Sequence, residues 1–322
     1  MAKAFRSDPI TVDDRVVARR KFKGGGHSDV IGHVVTLEPL TIRPQMVGGF
    51  PSALPEVVIP AEELYVVKKL SPRTVRNSDI RHVEVASAKS YLGHATQWTS
   101  NGQWLMRAGD GITKRTNSAV PLGPSAGFEP APIAELMAFY ASHNLPCVLL
   151  VPERIGNSAL KLAHEHIDVE KIVMTRTLDD LSDIQPYLDD TLEVDISSEP
   201  TPAWLEITDH VGTDLTDASL TDSPLAFFTA SAGAVLRATI TESEDGTKWL
   251  GIACVKVSES ARRQRLAARL VAAAMAWGAA EGAEKSYLQV SVGNDAAVAL
   301  YEKLGMLEHH RHRYIEVIPG NL

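Results

Sequence analysis

The chain has only two cysteines in 322 residues, Cys147 and Cys254, far apart and in no CxxC pair, so no cysteine metal site or redox couple is encoded. Cys254 lies in the apolar run "WLGIACVKV" and reads as a small core residue. No stretch approaches the ~20 apolar residues of a membrane span, and "MAKAFRSDPI" has no apolar signal core. The expected location is therefore the cytoplasm. There is no excess of positive charge: the net charge is -8 and the pI about 5.8. That balance argues against general nucleic-acid binding, which needs a broad basic surface, and leans towards cationic partners such as amines. Gly24 to Gly26 are not followed by Lys-Ser/Thr, so they read as a hairpin turn and not a phosphate loop.

What is present is an ordinary globular composition, 44% hydrophobic and 22% charged, in a chain long enough for two or three domains. Short β-branched runs ("RVVARRKF", "VIGHVVTLE", "EVVIP", "LYVVKKL") predict a small SH3-like β-barrel over 1–72. "SPRTVRNSD" reads as a linker. Residues 73–200 read as mixed α/β. A strand then a helix is expected in "DIRHVEVASAKSYL", and two strands around Gly109-Asp110-Gly111. A helix is expected with Ile133, Leu136, Met137 and Tyr140 on one face, then a buried strand "CVLLVPE" and a helix near "SALKLAHEH".

Residues 201–322 give a clearer β-β-β-α-β-α-β order. An Asp-Gly hairpin turn lies in "EDGT". A helix over about 263–281 carries Leu266, Leu270, Ala274 and Trp277 on one stripe. "MAFYASHNLP" and "VALYEKLGML" echo each other as a helix ending in a tyrosine, a turn and a strand. The echo leaves open whether the chain holds two related halves.

The stretch "ARRQRLAARL" concentrates arginine where a strand feeds a helix start. The first amides of a helix have no intrahelical acceptor and carry partial positive charge, so such a junction suits a phosphate or pyrophosphate. Further on, "NDAAVALYEKLGM" opens on Asn294, a good N-cap, and closes on Gly305. Asn294, Ala297 and Tyr301 share one helix face, an odd set for a purely packing stripe.

Together these two elements resemble the GCN5-related N-acetyltransferases, the GNAT superfamily. The first follows a pattern like Val-x-x-x-x-Arg-x-x-Gly-x-Gly/Ala from Val257 through Arg262, with Arg265 at the first glycine and Ala267 at the second. The second matches Asn-x-x-Ala-x-x-Leu-Tyr-Glu-Lys-Leu-Gly-Phe, with Met306 for Phe. The resemblance covers about 230–318. With "DVIGHV", "TKRTNSAVPLG" and "AFYASHNLP", it extends to an actinobacterial group with an SH3-like domain ahead of a two-part acetyltransferase region. It implies an α/β fold of the α+β kind: a mixed, mostly antiparallel sheet flanked by helices, with a degenerate GNAT-like half over 73–200 and an acetyl-CoA-binding half over 201–322.

The resemblance also implies roles. The backbones of Val255 and Val257 would pair with the pantetheine arm. The amides of Arg263, Gln264, Arg265, Leu266, Ala267 and Ala268, beside the charge of Arg262, would cradle the pyrophosphate. Asn294, on the face it shares with Ala297, would bond the pantetheine, and Tyr301 would protonate the departing thiolate. Arg265 departs from the family glycine, which lets backbone approach the pyrophosphate closely. "WLGIACVKV" has no acid to serve as base, leaving Glu206, Glu242 or a water chain. Arg115 and Asn117 are candidates for the acceptor wall, with a hydrogen-bonded structural turn as the alternative.

His310 and His312 share a strand face, but no third ligand is identified and no metal site is assigned. "HEH" at 164–166 is not a ligand pair at helical spacing. The expected activity is acetyl transfer from acetyl-CoA to an amine, either a small molecule or a protein lysine or N-terminus. The alternatives are a catalytically weak CoA-binding or protein-interaction module, and a barrel adaptor whose basic "RRKFK" contacts RNA.

Overall fold

The computed structural model describes residues 5–22, 24–160, 167–188, 191–209, 212–221 and 223–318. "HEH" at 164–166 and Lys23 of "RRKFK" lie outside these residues. The chain divides into two compact units.

One unit takes in the chain up to Arg76 together with Glu308–His310. Its strands are β1 (Arg15–Lys21), β2 (His27–Leu37), β3 (Leu40–Pro44), β4 (Val57–Ile59) and β5 (Leu64–Lys69). They form an antiparallel sheet in the order β4-β3-β2-β1-β5. Alternation turns Val16, Ala18, Val30, Val34 and Ile42 to one buried face. β3 went unforeseen because it is only five residues long, carries Thr41 and Arg43 among its apolar positions, follows Pro39 and ends on Pro44.

The other unit holds Asn77–Leu307 and the chain from Arg311. It begins with helix α1 (Asn77–Lys89), where a strand then a helix was expected. The valines that suggested a strand, Val83 and Val85, are buried, and their packing overrides a modest β-branched cost. There follow β6 (Ala95–Trp98), β7 (Trp104–Ala108), β8 (Val120–Pro121), α2 (Ile133–Ser142), β9 (Val148–Pro152), α3 (Asn157–Leu160), β10 (Lys171–Thr177) and β11 (Val194–Ser197). Then come α4 (Pro202–Thr208), α5 (Thr213–Thr216), β12 (Leu225–Ala230), β13 (Ala234–Glu242), β14 (Lys248–Val257), α6 (Leu266–Ala280), β15 (Lys285–Ser291), α7 (Asp295–Lys303) and β16 (Leu307–Glu316). From β12 on this matches the expected β-β-β-α-β-α-β order, while α4 and α5 ahead of it were not expected.

An eight-stranded sheet runs β11-β12-β13-β14-β15-β10-β16-β9, beside a three-stranded sheet β6-β7-β8. The two stretches that echo each other in sequence share one plan. An antiparallel meander leads into a helix (α2 or α6) and then a strand parallel to the meander's last segment: β14 with β15, and Ala119 with Leu149 of β9. Their final strands are exchanged. β10 pairs with β15, from Lys171↔Ser291 to Thr177↔Lys285, and β16 pairs with β9, from His312↔Pro152 to Glu316↔Val148. The exchange places the closing strands of both stretches in one sheet.

Helix α6 is alanine-rich, a strong helix former, and Gly282 at φ +87° follows its end. Leu266, Leu270 and Ala274 of the expected stripe are buried against Leu236, Ile252 and Leu288, with Trp277 half-buried at the margin. Each fully buried leucine contributes ~1.5–3 kcal/mol. α6 therefore lies fixed against one face of the sheet, with its N-terminus beside the end of β14.

Candidate functional site

Strand β14 sets the site. Its parallel pairing with β15 runs only from Trp249↔Lys285 to Ile252↔Leu288, although β14 continues to Val257 and β15 to Ser291. The two strands part there. On the other edge of β14 the register with β13 shifts: Arg237 faces Ala253 and Val235 faces Lys256. Cys254, expected as an ordinary core residue, instead sits half-buried in this bulge with φ +54°. The carbonyl of Leu236, opposite the bulge, accepts from the indole Nε1 of Trp204 on α4 at 3.0 Å. Beyond the bulge, Val255 and Val257 have backbone on the β15 side that no strand pairs.

After β14 the chain makes one 3-10 turn, Glu259–Ala261, and enters the arginine stretch. Arg262, Arg263, Gln264 and Arg265 are all exposed. Arg263 (φ +63°) and Arg265 (φ +59°, ψ 14°) adopt the left-handed conformation, a geometry glycine would take without strain. Alternation into this region turns successive amides towards one side, as in anion-binding nests. Among the described residues nothing accepts from the amides of Arg263, Gln264 or Arg265. Leu266, Ala267 and Ala268 then form the first turn of α6, whose leading amides lack intrahelical acceptors. Six consecutive amides and three guanidinium groups are thus gathered at one helix start.

Helix α7 lies across the same core. Asn294 is its N-cap, its Oδ1 accepting from the Ala297 amide at 3.3 Å. The cap occupies Oδ1 and leaves its Nδ2 hydrogens for another partner. Tyr301, two turns on, packs in the core shared with α6, and its hydroxyl has no protein partner among the described residues. Burial pushes the Tyr301 phenol up to about 12, so it keeps its proton at neutral pH.

The opposite face of the sheet carries a different set. Here Tyr91 packs with Ala253, Cys254 and Leu215, and Tyr287 donates to or accepts from Ser90 at 2.8 Å. The loop 109–117 delivers Arg115 to this face, with its guanidinium carbon 5.7 Å from the Tyr91 ring centre and its Nε 3.5 Å from Gln289 Oε1. Gln289 follows Leu288, the last β15 residue paired with β14, so Arg115 reaches the point where the strands part.

Asn117 proves to be the loop's internal fastener. Its Oδ1 accepts from the amides of Gly109 (2.8 Å) and Gly111 (3.2 Å), and its Nδ2 donates to the Thr113 carbonyl (2.7 Å). Asp214 braces the loop from α5, accepting from the Asp110 amide at 3.3 Å. Burial holds the Asp214 carboxyl above its ordinary value, and the Asp110 carboxyl beside it adds to the rise against the bond from Thr116.

Glu206 and Glu242 are exposed, and Glu242 faces Lys248 at the end of β14 remote from the bulge. His312 bonds through Nδ1 to Glu84 Oε1 at 2.8 Å, both side chains buried. Glu170 receives Arg311 Nη1 at 2.8 Å and Arg313 Nε at 3.0 Å, which offsets part of the buried positive charge on β16. Sequence reasoning did not find Tyr91, Gln289 or Asp214, because their relation to Arg115 spans the fold and leaves no local pattern. Among the described residues, no helix is long and apolar enough to cross a membrane.

Comparison with known proteins gives the arrangement a setting. Residues 77–315 match the family model "Probable histone acetyltransferase Rv0428c C-terminal". The chain is 32% identical over 290 residues to the Mycobacterium tuberculosis protein named probable histone acetyltransferase Rv0428c, covering 89% of this chain and 88% of that one. It is 24% identical over 258 residues to the uncharacterized N-acetyltransferase YobR of Bacillus subtilis, covering 73% of this chain and 98% of the relative. A solved GCN5-related N-acetyltransferase from Kribbella flavida shares the fold at a TM-score of 0.52 and 19% identity, over 75% of this chain and 97% of that one.

Proposed function

Since the chain belongs to the family of the Rv0428c C-terminal acetyltransferase region, and is a GNAT-superfamily N-acetyltransferase, we propose that it transfers acetyl from acetyl-CoA to an amine by direct attack. The observation that carries this reading is the parting of β14 from β15 after Ile252 and Leu288, directly before a turn whose amides have no protein acceptor. A parted strand edge offers backbone to an extended amide-bearing arm, and the turn offers amides to its pyrophosphate.

On this reading the residues divide the work. Acetyl-CoA supplies an activated acetyl thioester. Val255 and Val257 hold the arm through backbone bonds, and Asn294 contributes Nδ2. Arg263 to Ala268 bind the pyrophosphate through their amides, with Arg262, Arg263 and Arg265 adding charge. Tyr301 faces the sulfur that leaves. A phenol near 12 lies well above an ordinary thiol at ~8.5, so complete proton transfer from Tyr301 alone runs uphill by ~5 kcal/mol. Its contribution is therefore a hydrogen bond that stabilises developing negative charge, with the proton passed on as the attacking amine becomes acidic. β14 carries no carboxylate to serve as base, which leaves Glu206, Glu242 or a water chain for that role.

The acceptor is an amine. The M. tuberculosis relative is named a probable histone acetyltransferase. Calorimetric titration with acetyl-CoA and with CoA tests the donor site. Micromolar binding lost in an Arg263→Glu/Arg265→Glu variant is expected, and no binding at millimolar ligand would overturn the reading.

A further inference from the structure

The sheet has two sides at the point where β14 and β15 part, and the chain treats them differently. On the α6 side lie Leu250, Ile252, Leu288 and Val290, packed under α6 with Tyr301. That side also leads to the arginine turn. On the other side lie Tyr91, Ala253, Tyr287 and Gln289, with two guanidinium groups over Tyr91: Arg237, whose nitrogens donate to the Leu215 and Ser90 carbonyls and the Thr239 hydroxyl, and Arg115, whose terminal nitrogens are open. A donor held along the α6 side and through the gap leaves this second side for the acceptor.

Arg115 has no counter-charge. Among the described residues no carboxylate lies within ion-pair distance, and its two terminal nitrogens have no protein partner. What surrounds it is a phenol, an amide and a thiol: Tyr91, Gln289 and Cys254, with Tyr287 and Tyr314 beyond. The neighbouring acid does not serve it, because Asp168 is held by Lys114 at 2.7 and 2.8 Å. A second cation is close by. Lys171, bonded to the Ser291 hydroxyl at 2.7 Å, has its pKa lowered by burial first and by the charge of Arg115 next. Two like charges are thus kept near one another in a half-buried recess, in a chain whose overall charge is -8.

Asp168 offsets part of the charge at Lys171, but the Arg115 fork meets only phenols, an amide and a thiol, and an anion of its own would add a charge-assisted pair there. The loop is built to keep Arg115 there, fastened by Asn117 and braced by Asp214. A planar guanidinium fork with both terminal nitrogens available matches a carboxylate in geometry as well as charge.

We propose that Arg115 binds a carboxylate on the acceptor, so that the substrate is an amine that itself carries a carboxylate, of the amino-acid class, and not an isolated lysine side chain. The inference rests on the acetyltransferase reading above. It makes Arg115 a specificity-determining residue that acts on the acceptor without touching the acetyl group.

The test compares amino acids with their carboxamides and with phosphoethanolamine, in two assays on the full-length protein. One measures acetyl-CoA-dependent acetylation, and the other measures binding of the same compounds to the CoA-loaded protein by calorimetry. The wild type is expected to favour acids over amides by about tenfold or more in both. Arg115→Met should remove the preference by raising KM and Kd for the acids, with kcat within a few-fold and acetyl-CoA affinity unchanged. Arg115→Lys should restore part of it.

Equal use of acids and amides by the wild type would overturn the proposal, as would a preference for the phosphate or a preference that survives in Arg115→Met. Failure of the donor reading would be seen separately, as absent acetyl-CoA binding. The calorimetric arm, run then without CoA, would still decide whether Arg115 selects carboxylates.

Discussion

The Asp214 carboxylate occupies the space where residue 109 would carry a side chain: a Cβ built on Gly109 would meet Asp214 Oδ2 at 1.9 Å. Gly109 is therefore required by space and not by backbone conformation. Gly109→Ala must push the loop away from α5, at a cost of ~1–3 kcal/mol. Because the same loop carries Arg115, acceptor KM should rise while acetyl-CoA affinity is unchanged. Urea unfolding and steady-state kinetics on the one variant check both halves of this expectation.

Asp214 also makes stability depend on pH. Its folded-state pKa is raised by burial, then by Asp110, so the ionised carboxylate weakens the folded state at neutral pH. That penalty disappears as pH falls through the folded value towards the ordinary carboxylate range near ~4. Asparagine at this position has no such dependence. The difference in stability between wild type and Asp214→Asn should therefore move in favour of wild type from about pH 7 to about pH 4.5. Parallel unfolding midpoints across that range would contradict it.

Arg265 holds a left-handed conformation that costs a non-glycine residue ~1–2 kcal/mol. Arg265→Gly should return part of that as a higher Tm, the rest being offset by the freedom glycine has in the unfolded chain. On the proposed reading its charge adds to the pyrophosphate grip, but the amides remain. Acetyl-CoA binding should weaken less than tenfold in Arg265→Gly and more than tenfold in Arg265→Glu. Differential scanning and titration calorimetry measure the two effects independently.

Tyr301→Phe keeps the buried ring and removes only a hydroxyl that bonds to no protein group, so stability should be nearly unchanged. If the hydroxyl supports the leaving sulfur, kcat should fall by about 10- to 100-fold with little change in acetyl-CoA affinity. With the phenol near 12, the pH–rate profile of the wild type should show no alkaline loss from Tyr301 below about pH 10.

Much of this was legible in the chain. The strand-to-helix junction at Arg262 and the capped helix from Asn294 were readable because each lies within about a dozen residues and rests on local rules of capping and amide exposure. The split at Ile252 and Leu288 was not, since nothing in "WLGIACVKV" or "KSYLQVSV" marks where pairing ends. The bulge at Cys254 was hidden for a similar reason: a cysteine in an apolar run looks like core whatever its φ. Val83 and Val85 misled in the other direction, since burial on α1 outweighs their strand preference. Arg115 was noticed as a candidate for the acceptor wall, but its neighbours Tyr91, Lys171, Cys254 and Gln289 come from four different elements that only folding assembles.

The exchanged final strands also have a consequence for how the chain comes off the ribosome. β9, "VLLVP", is buried along its whole length in the finished protein, and its outer partner is β16. Everything from Pro152 to Leu307 must be synthesised before that partner exists. At ~5–20 residues per second, an apolar strand edge waits on the order of ten seconds or more without its cover. Release of nascent chains before β16 emerges should therefore yield an aggregation-prone product that binds chaperones, however stable the complete protein is.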